Sequence, residues 1–143
     1  MADPTPWIAA EDTGAARKHA PATARNRDAI DAAAGDWPVE RADALLCVNM
    51  VHISPWEATL GLLDGAARVL PQGAPLILYG PYRRAEVPTA PSNEAFDASL
   101  KSRDPRWGLR DVADVTAAAV ARGLAFERLV EMPANNIMLI YRC

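Results

Sequence analysis

Apolar residues run without a break from Ala44 to Val48, short and partly β-branched, which predicts a strand buried on both faces of a mainly parallel sheet. Polar chemistry follows at once in Asn49, His52 and Ser54. Ser54-Pro-Trp-Glu57 has the form of a helix start, with Ser54 as the cap, Pro55 at the first helical position and Glu57 completing a capping box. Leu60, Leu63, Ala67 and Leu70 recur at helical spacing, so the helix is expected to reach about Val69, and Pro71 cannot continue it. Gly61 and Gly65 inside it are expected to let this helix approach the sheet closely. After the turn Pro71-Gln-Gly73, the run Ala74 to Tyr79 predicts a second strand, parallel to the first in a βαβ unit.

The second strand also ends in polar chemistry, at Gly80-Pro-Tyr-Arg-Arg84. It leads through a Pro-containing segment, Glu86 to Pro91, to a short helix beginning at Ser92 with Phe96 and Leu100 four apart. A connection this long in a small domain is often a lid or binding loop. Val112, Val115, Ala119 and Arg122 predict another helix, stopped by Gly123. Ala125 to Glu131 and Ile137 to Tyr141 read as strands joined through Met132-Pro-Ala-Asn-Asn136, and antiparallel pairing is the simplest connection. Residues 1–35 read differently. Pro4, Pro6, Gly14 and Pro21 punctuate them and Trp7 with Ile8 are the large apolar residues of their opening, so a mobile arm is expected there, with a helix over Ala22 to Ala34 stopped by Gly35. Residues 36–143 form the folded part.

Composition narrows the function classes. A net charge of −3 and a pI near 5.3 argue against a general nucleic-acid binder, whose affinity comes largely from Lys and Arg on phosphates. The basic residues of the arm, Arg17, Lys18, His19, Arg25 and Arg27, read as a solvated face or as an anion site. The two cysteines, Cys47 in the predicted strand and Cys143 at the end, fit a reducing compartment better than a disulfide. No window holds the roughly 20 apolar residues of a membrane span, and the first residues lack a signal peptide's pattern, so a cytoplasmic protein is expected. His19 and His52 are no ligand set, and no metal site is expected.

The stretch Asp43 to Trp56, followed by Gly65 to Gly73, resembles the fourth strand, following helix and fifth strand of class I S-adenosylmethionine-dependent methyltransferases. Asn49-Met-Val-His-Ile-Ser-Pro-Trp56, Tyr79-Gly-Pro-Tyr82, Ala90-Pro-Ser-Asn-Glu-Ala-Phe-Asp97, Asp104-Pro-Arg-Trp-Gly-Leu-Arg-Asp111 and Glu131-Met-Pro-Ala-Asn-Asn136 occur in order. Together they resemble the DUF938 family, which includes methyltransferase-like protein 26, and His19 to Arg27 is similar to its N-terminal opening. The resemblance implies a partial Rossmann-like methyltransferase fold, α/β, with parallel strands, a C-terminal antiparallel pair and helices on the faces. It also implies S-adenosylmethionine as cofactor and a small-molecule methyl acceptor. One departure stands out: the family's first strand, its acidic Gly-rich turn and the next two strands have no counterpart, because Ile30 runs directly into Asp31-Ala-Ala-Ala-Gly-Asp-Trp-Pro38. The chain resembles a family member without its N-terminal cofactor-binding half.

On that resemblance, Asp31, Asn49 and Met50 are the candidate cofactor-binding residues, Asn93 and Asn135 the substrate-binding ones, and His52, Tyr82 and Asn136 the catalytic ones. Asn49, His52, Tyr82, Asn135 and Asn136 are expected in one cleft, since parallel strands bring their ends to one edge. Each has a plainer reading. A single His at a strand end is an ordinary hydrogen-bond partner, and Asn in Pro-rich turns is routine turn chemistry. Trp37, Trp56 and Trp107 read as anchors rather than base-stacking platforms, and Cys47 as packing. Two functions follow: a methyltransferase family member whose activity in this short form is in doubt, or a non-catalytic remnant acting as an interaction module. Lost strands would uncover an edge of the central strand, where another copy of the chain is expected to pair.

Overall fold

A computed structural model describes residues 7–10 and 30–143. One sheet of five strands organises them: β1 (Trp7–Ala10), β2 (Ala44–Val48), β3 (Pro75–Gly80), β4 (Ala125–Met132) and β5 (Asn136–Arg142), in spatial order β1-β2-β3-β5-β4. The first two pairings are parallel and the last two antiparallel. The expected βαβ unit and the terminal antiparallel pair are both present. What the linear pattern did not give is the position of β5, which turns back from β4 and inserts beside β3.

Register explains the core. Leu45, Leu76 and Tyr141 stand in one row across the sheet and Cys47, Leu78 and Leu139 in the next, each at most 1% exposed. In the alternate row Leu46 and Ile77 are only half-buried and Ile140 is buried, so β2 itself is sealed on one face rather than on two as its unbroken apolar run predicts. Helix α1 (Trp56–Val69) contributes Leu62, Leu63 and Ala66 to the core. Helix α2 (Pro91–Arg103) buries little beyond Leu100 and Asp97. Helix α3 (Val112–Val120) adds Val115 and Ala119, and lies against both α1 and β4. Its exit is a Schellman turn: Leu124 N–H donates to Ala119 O and Gly123 N–H to Val120 O, with Gly123 at φ 84°, which confirms the predicted stop.

Three expectations are corrected. Residues 7–10, within the expected arm, form β1 on the β2 edge that was expected to be open, so the described part of that edge is already paired. The rest of the arm lies outside the described residues except its end, where Asp31 to Ala34 is a turn and not the close of a helix. Second, Ser54 does not cap α1: its hydroxyl donates to Met50 O at 2.8 Å, and the helix starts at Trp56 behind an extended Pro55. A 3-10 turn over Val51–Ile53 puts the Met50 carbonyl within the serine's reach, and this local partner wins over the cap. Third, the α1 glycines accommodate the 31–37 segment and not the sheet: a Cβ on Gly61 would overlap the Ala32 backbone, and one on Gly65 the Trp37 ring.

Candidate functional site

The ends of β2 and β3 and the β4–β5 turn meet at one edge of the sheet, because Gly80 pairs with Ile137 and Met132 with Asn136. Asn49 extends the ladder one residue past β2, its N–H donating to Tyr79 O at 2.9 Å, and then turns the chain with φ 55°. Asn adopts this left-handed conformation more readily than most residues. The reversal drops Met50, Val51 and His52 into the interior. His52 is 3% exposed and sits over Gly80, where an added Cβ would lie 3.2 Å from the imidazole Cε1 and 3.4 Å from Asn49 Oδ1. Glycine at position 80 thus leaves room for the close approach of the ring, which a side chain would press on. Phe96 meets the imidazole edge-to-face at 5.6 Å, which ties α2 to this corner.

Burial, and then the nearby positive charge of Arg110, lower the His52 pKa to about 4. The imidazole is thus neutral near pH 7 and works there as a hydrogen-bonding group without charge. Arg110, which the sequence reading passed over, stacks on Trp56 at 5.6 Å and donates to Ser54 O and Arg106 O at 2.9 and 2.8 Å.

A second cluster lies beside this corner. A cleft of about 200 Å³ is lined by Tyr82, Arg84, Asn93, Glu131, Asn135 and Asn136, together with apolar groups. Its wall is stitched by Asn93 Nδ2, which donates to Asn135 O at 3.3 Å, and by Asn136 Nδ2, which donates to Pro133 O at 3.3 Å. Ala134 and Asn135 both have φ 61°, so the β4–β5 connection is a tight reversal that presents its backbone to the cleft. Tyr82 is 7% exposed, and burial first, then Cys47 and Tyr141, raise its pKa well above 10.0, so the phenol keeps its proton. Asn49 and His52 do not line this cleft. The single shared site expected from sequence is therefore two adjoining clusters on one sheet edge, with Gly80 and Tyr82 linking them along the chain.

The segment from Tyr82 to Asp111 is fastened at its base, where Arg83 N–H donates to Arg110 O and Val112 N–H to Arg83 O, each at 2.9 Å. Arg83 then reaches Glu94 at 2.7 Å and Asp97 at 3.1 Å. Asp97, 6% exposed, also accepts from Lys101 at 2.8 Å and from the Leu109 amide at 2.9 Å. Burial pushes the Asp97 pKa up, but the hydrogen bonds from Lys101, Leu109 and Arg83 outweigh it and hold the carboxyl below 3.8. The i,i+4 spacing of Asp97 and Lys101 was the one available sequence signal for this network.

The remaining predicted cofactor residues offer little to a ligand. Met50 is 2% exposed within the core, and the exposed Asp31 carboxylate accepts from its own turn at Ala33 N–H, 3.0 Å away. No Gly-x-Gly turn follows a strand in the chain, and such a turn is what lets backbone approach a nucleotide cofactor. Among the described residues, Asp31, Asn49 and Met50 do not by themselves make a full site for S-adenosylmethionine.

The strand order, with its last strand inserted antiparallel, defines a partial Rossmann-like methyltransferase fold. The fold is similar to that of CalO1, a methyltransferase in calicheamicin biosynthesis, in its S-adenosylhomocysteine-bound form, with TM-score 0.70, 16% identity, and 96% of this chain covering 49% of that one. It is also similar to an O-methyltransferase family 2 protein from Planctomyces limnophilus in complex with apigenin, with TM-score 0.67, 17% identity, and coverage of 80% and 33%. Human N-acetylserotonin methyltransferase in complex with S-adenosylmethionine gives TM-score 0.68, 11% identity, and coverage of 80% and 32%. The chain spans about a third to a half of the length of these proteins. Residues 29–143 match the family described as "Protein of unknown function (DUF938)", and the chain belongs to that family. Among the described residues no helix is long and apolar enough to cross a membrane.

Proposed function

We propose that this chain carries the methyl-acceptor side of an S-adenosylmethionine-dependent methyltransferase domain, holding a small molecule in the cleft beside Tyr82. The observation that carries this reading is the convergence of Tyr82, Asn93, Asn135 and Asn136 from three distant stretches on one cleft at the sheet edge. Ligands of open α/β sheets occupy such edges. The neighbours bound to S-adenosylmethionine, S-adenosylhomocysteine and apigenin support the same class of chemistry.

In this reading Tyr82 and Asn136 orient the acceptor, Asn93 and Asn135 shape the cleft wall, and Asn49 stands at the boundary between acceptor and cofactor. His52 supports that boundary as a neutral ring. The chain by itself holds the cofactor weakly, since its sequence has no Gly-x-Gly turn and the predicted cofactor residues among those described offer it little. Losing two or three charge-assisted hydrogen bonds, each worth roughly 1.5 to 3 kcal/mol, lowers affinity by several powers of ten. Titration calorimetry with S-adenosylmethionine and with S-adenosylhomocysteine is expected to give millimolar or weaker binding. Micromolar binding of either would overturn the incomplete-site reading. Amide shift mapping with small-molecule probes tests the other half, and shifts that avoid residues 82–93 and 131–137 would refute the acceptor cleft.

A further inference from the structure

We propose that the cleft selects an anionic acceptor, a small molecule carrying a carboxylate, with Arg84 as the residue that binds it and Glu131 as the group it displaces. The proposal rests on the acceptor-cleft reading and adds the substrate class. Arg84 and Glu131 face each other across the cleft at 2.9 Å, with side chains 22% and 73% exposed. They are the charged members of its lining among the described residues, the other polar groups being neutral amides, a threonine and a phenol.

The two arginines at this point differ in how firmly their charge is held. Arg83 is committed to Glu94, Asp97 and the Thr89 hydroxyl. Arg84 has one ion-pair partner among the described residues, on a mostly exposed side chain that can rotate into water. A pair with one partner this exposed holds that partner weakly. A guanidinium offers a planar fork that matches a carboxylate in two parallel hydrogen bonds, so a ligand carboxylate can replace the Glu131 carboxylate group for group. Val87, Met132 and Ile137 supply apolar surface for the carbon body. A cavity of about 200 Å³ is below the range of drug-sized sites and suits a molecule of single-ring size.

The test is an amide shift titration of the full chain with benzoate against benzamide and acetate against acetamide. Each acid is expected to shift residues 82–93 and 131–137 and to bind roughly tenfold more tightly than its amide. Glu131→Gln removes the internal competitor and is expected to tighten the acids several-fold while leaving the amides unchanged. Arg84→Gln is expected to erase the preference for the acid. Equal affinities of acid and amide in the unaltered chain, or weaker acid binding in Glu131→Gln, would overturn the anionic class and leave the acceptor cleft standing. Absence of cleft shifts with all four probes would overturn the cleft and the proposal together.

Discussion

Acidification is expected to destabilise this protein through His52 before its carboxylates respond. The ring is 3% exposed, packed over Gly80 and against Phe96, and its pKa falls from 6.5 to about 4 because burial and then Arg110 oppose the charged form. The unfolded chain takes up the proton near pH 6.5 and the folded chain does not until about pH 4. Stability is therefore full above 6.5, falls with pH across that window, and levels off below it. The slope is about 1.4 kcal/mol per pH unit, so the loss is about 2 kcal/mol between pH 7.5 and 5 and about 3 kcal/mol by pH 4. For a domain of ordinary stability, roughly 5 to 15 kcal/mol, that is a large share. Glu94, Asp97, Asp104 and Glu127 have pKa values lowered from 3.8 or 4.5, so their contributions persist until lower pH and leave the upper window to the imidazole. Urea unfolding at several pH values, on the parent and on His52→Gln, both carrying His19→Gln, measures the slope. The Hε1 proton shift reads the pKa directly. A midpoint near 6.5, or parallel stability curves for the two proteins, would refute the account.

Other outcomes follow from the packing. Gly61→Ala is expected to cost about 1 to 3 kcal/mol in urea unfolding, because the new Cβ meets the Ala32 backbone. Helix propensity alone predicts a gain of roughly 0.5 to 1 kcal/mol, so a stabilised variant would show that the contact is absent. Asp97→Ala strips Arg83, Lys101 and the Leu109 amide of a buried acceptor and is expected to cost about 2 to 4 kcal/mol, with faster amide exchange at Leu109. Unchanged exchange there would refute the anchoring role. Tyr141→Phe removes the 2.8 Å bond to Thr116 Oγ1 from a fully buried ring and is expected to cost about 1 kcal/mol by thermal or urea unfolding.

Local order was legible along the chain. The apolar run at Ala44 to Val48, the helical spacing from Leu60 to Leu70 and the stops at Pro71 and Gly123 each depend on neighbours within a turn or a strand, and each element formed where its pattern lies. The resemblance carried by Asn49 to Trp56 and the later motifs named the fold; of the residues expected to share one cleft, Tyr82, Asn135 and Asn136 line it together with Asn93, and Asn49 and His52 do not. Ser54 excepted, what escaped was decided by partners remote in sequence. Ser54 reads as a cap until a 3-10 turn brings the Met50 carbonyl to its hydroxyl. Trp7–Ala10 is too short and too flanked by Pro to read as a strand, and it becomes one only where β2 offers an unpaired ladder. Gly61 and Gly65 announce a close approach without saying to what. Arg83, Arg84 and Arg110 look alike as charges in a string, and only tertiary structure sorts them into a lock on α2, an ion pair across the cleft and a cation stacked on Trp56. Periodicity encodes which face of an element is apolar, whereas the partner of a buried charge or a close glycine depends on chain folding across tens of residues, which no local pattern contains.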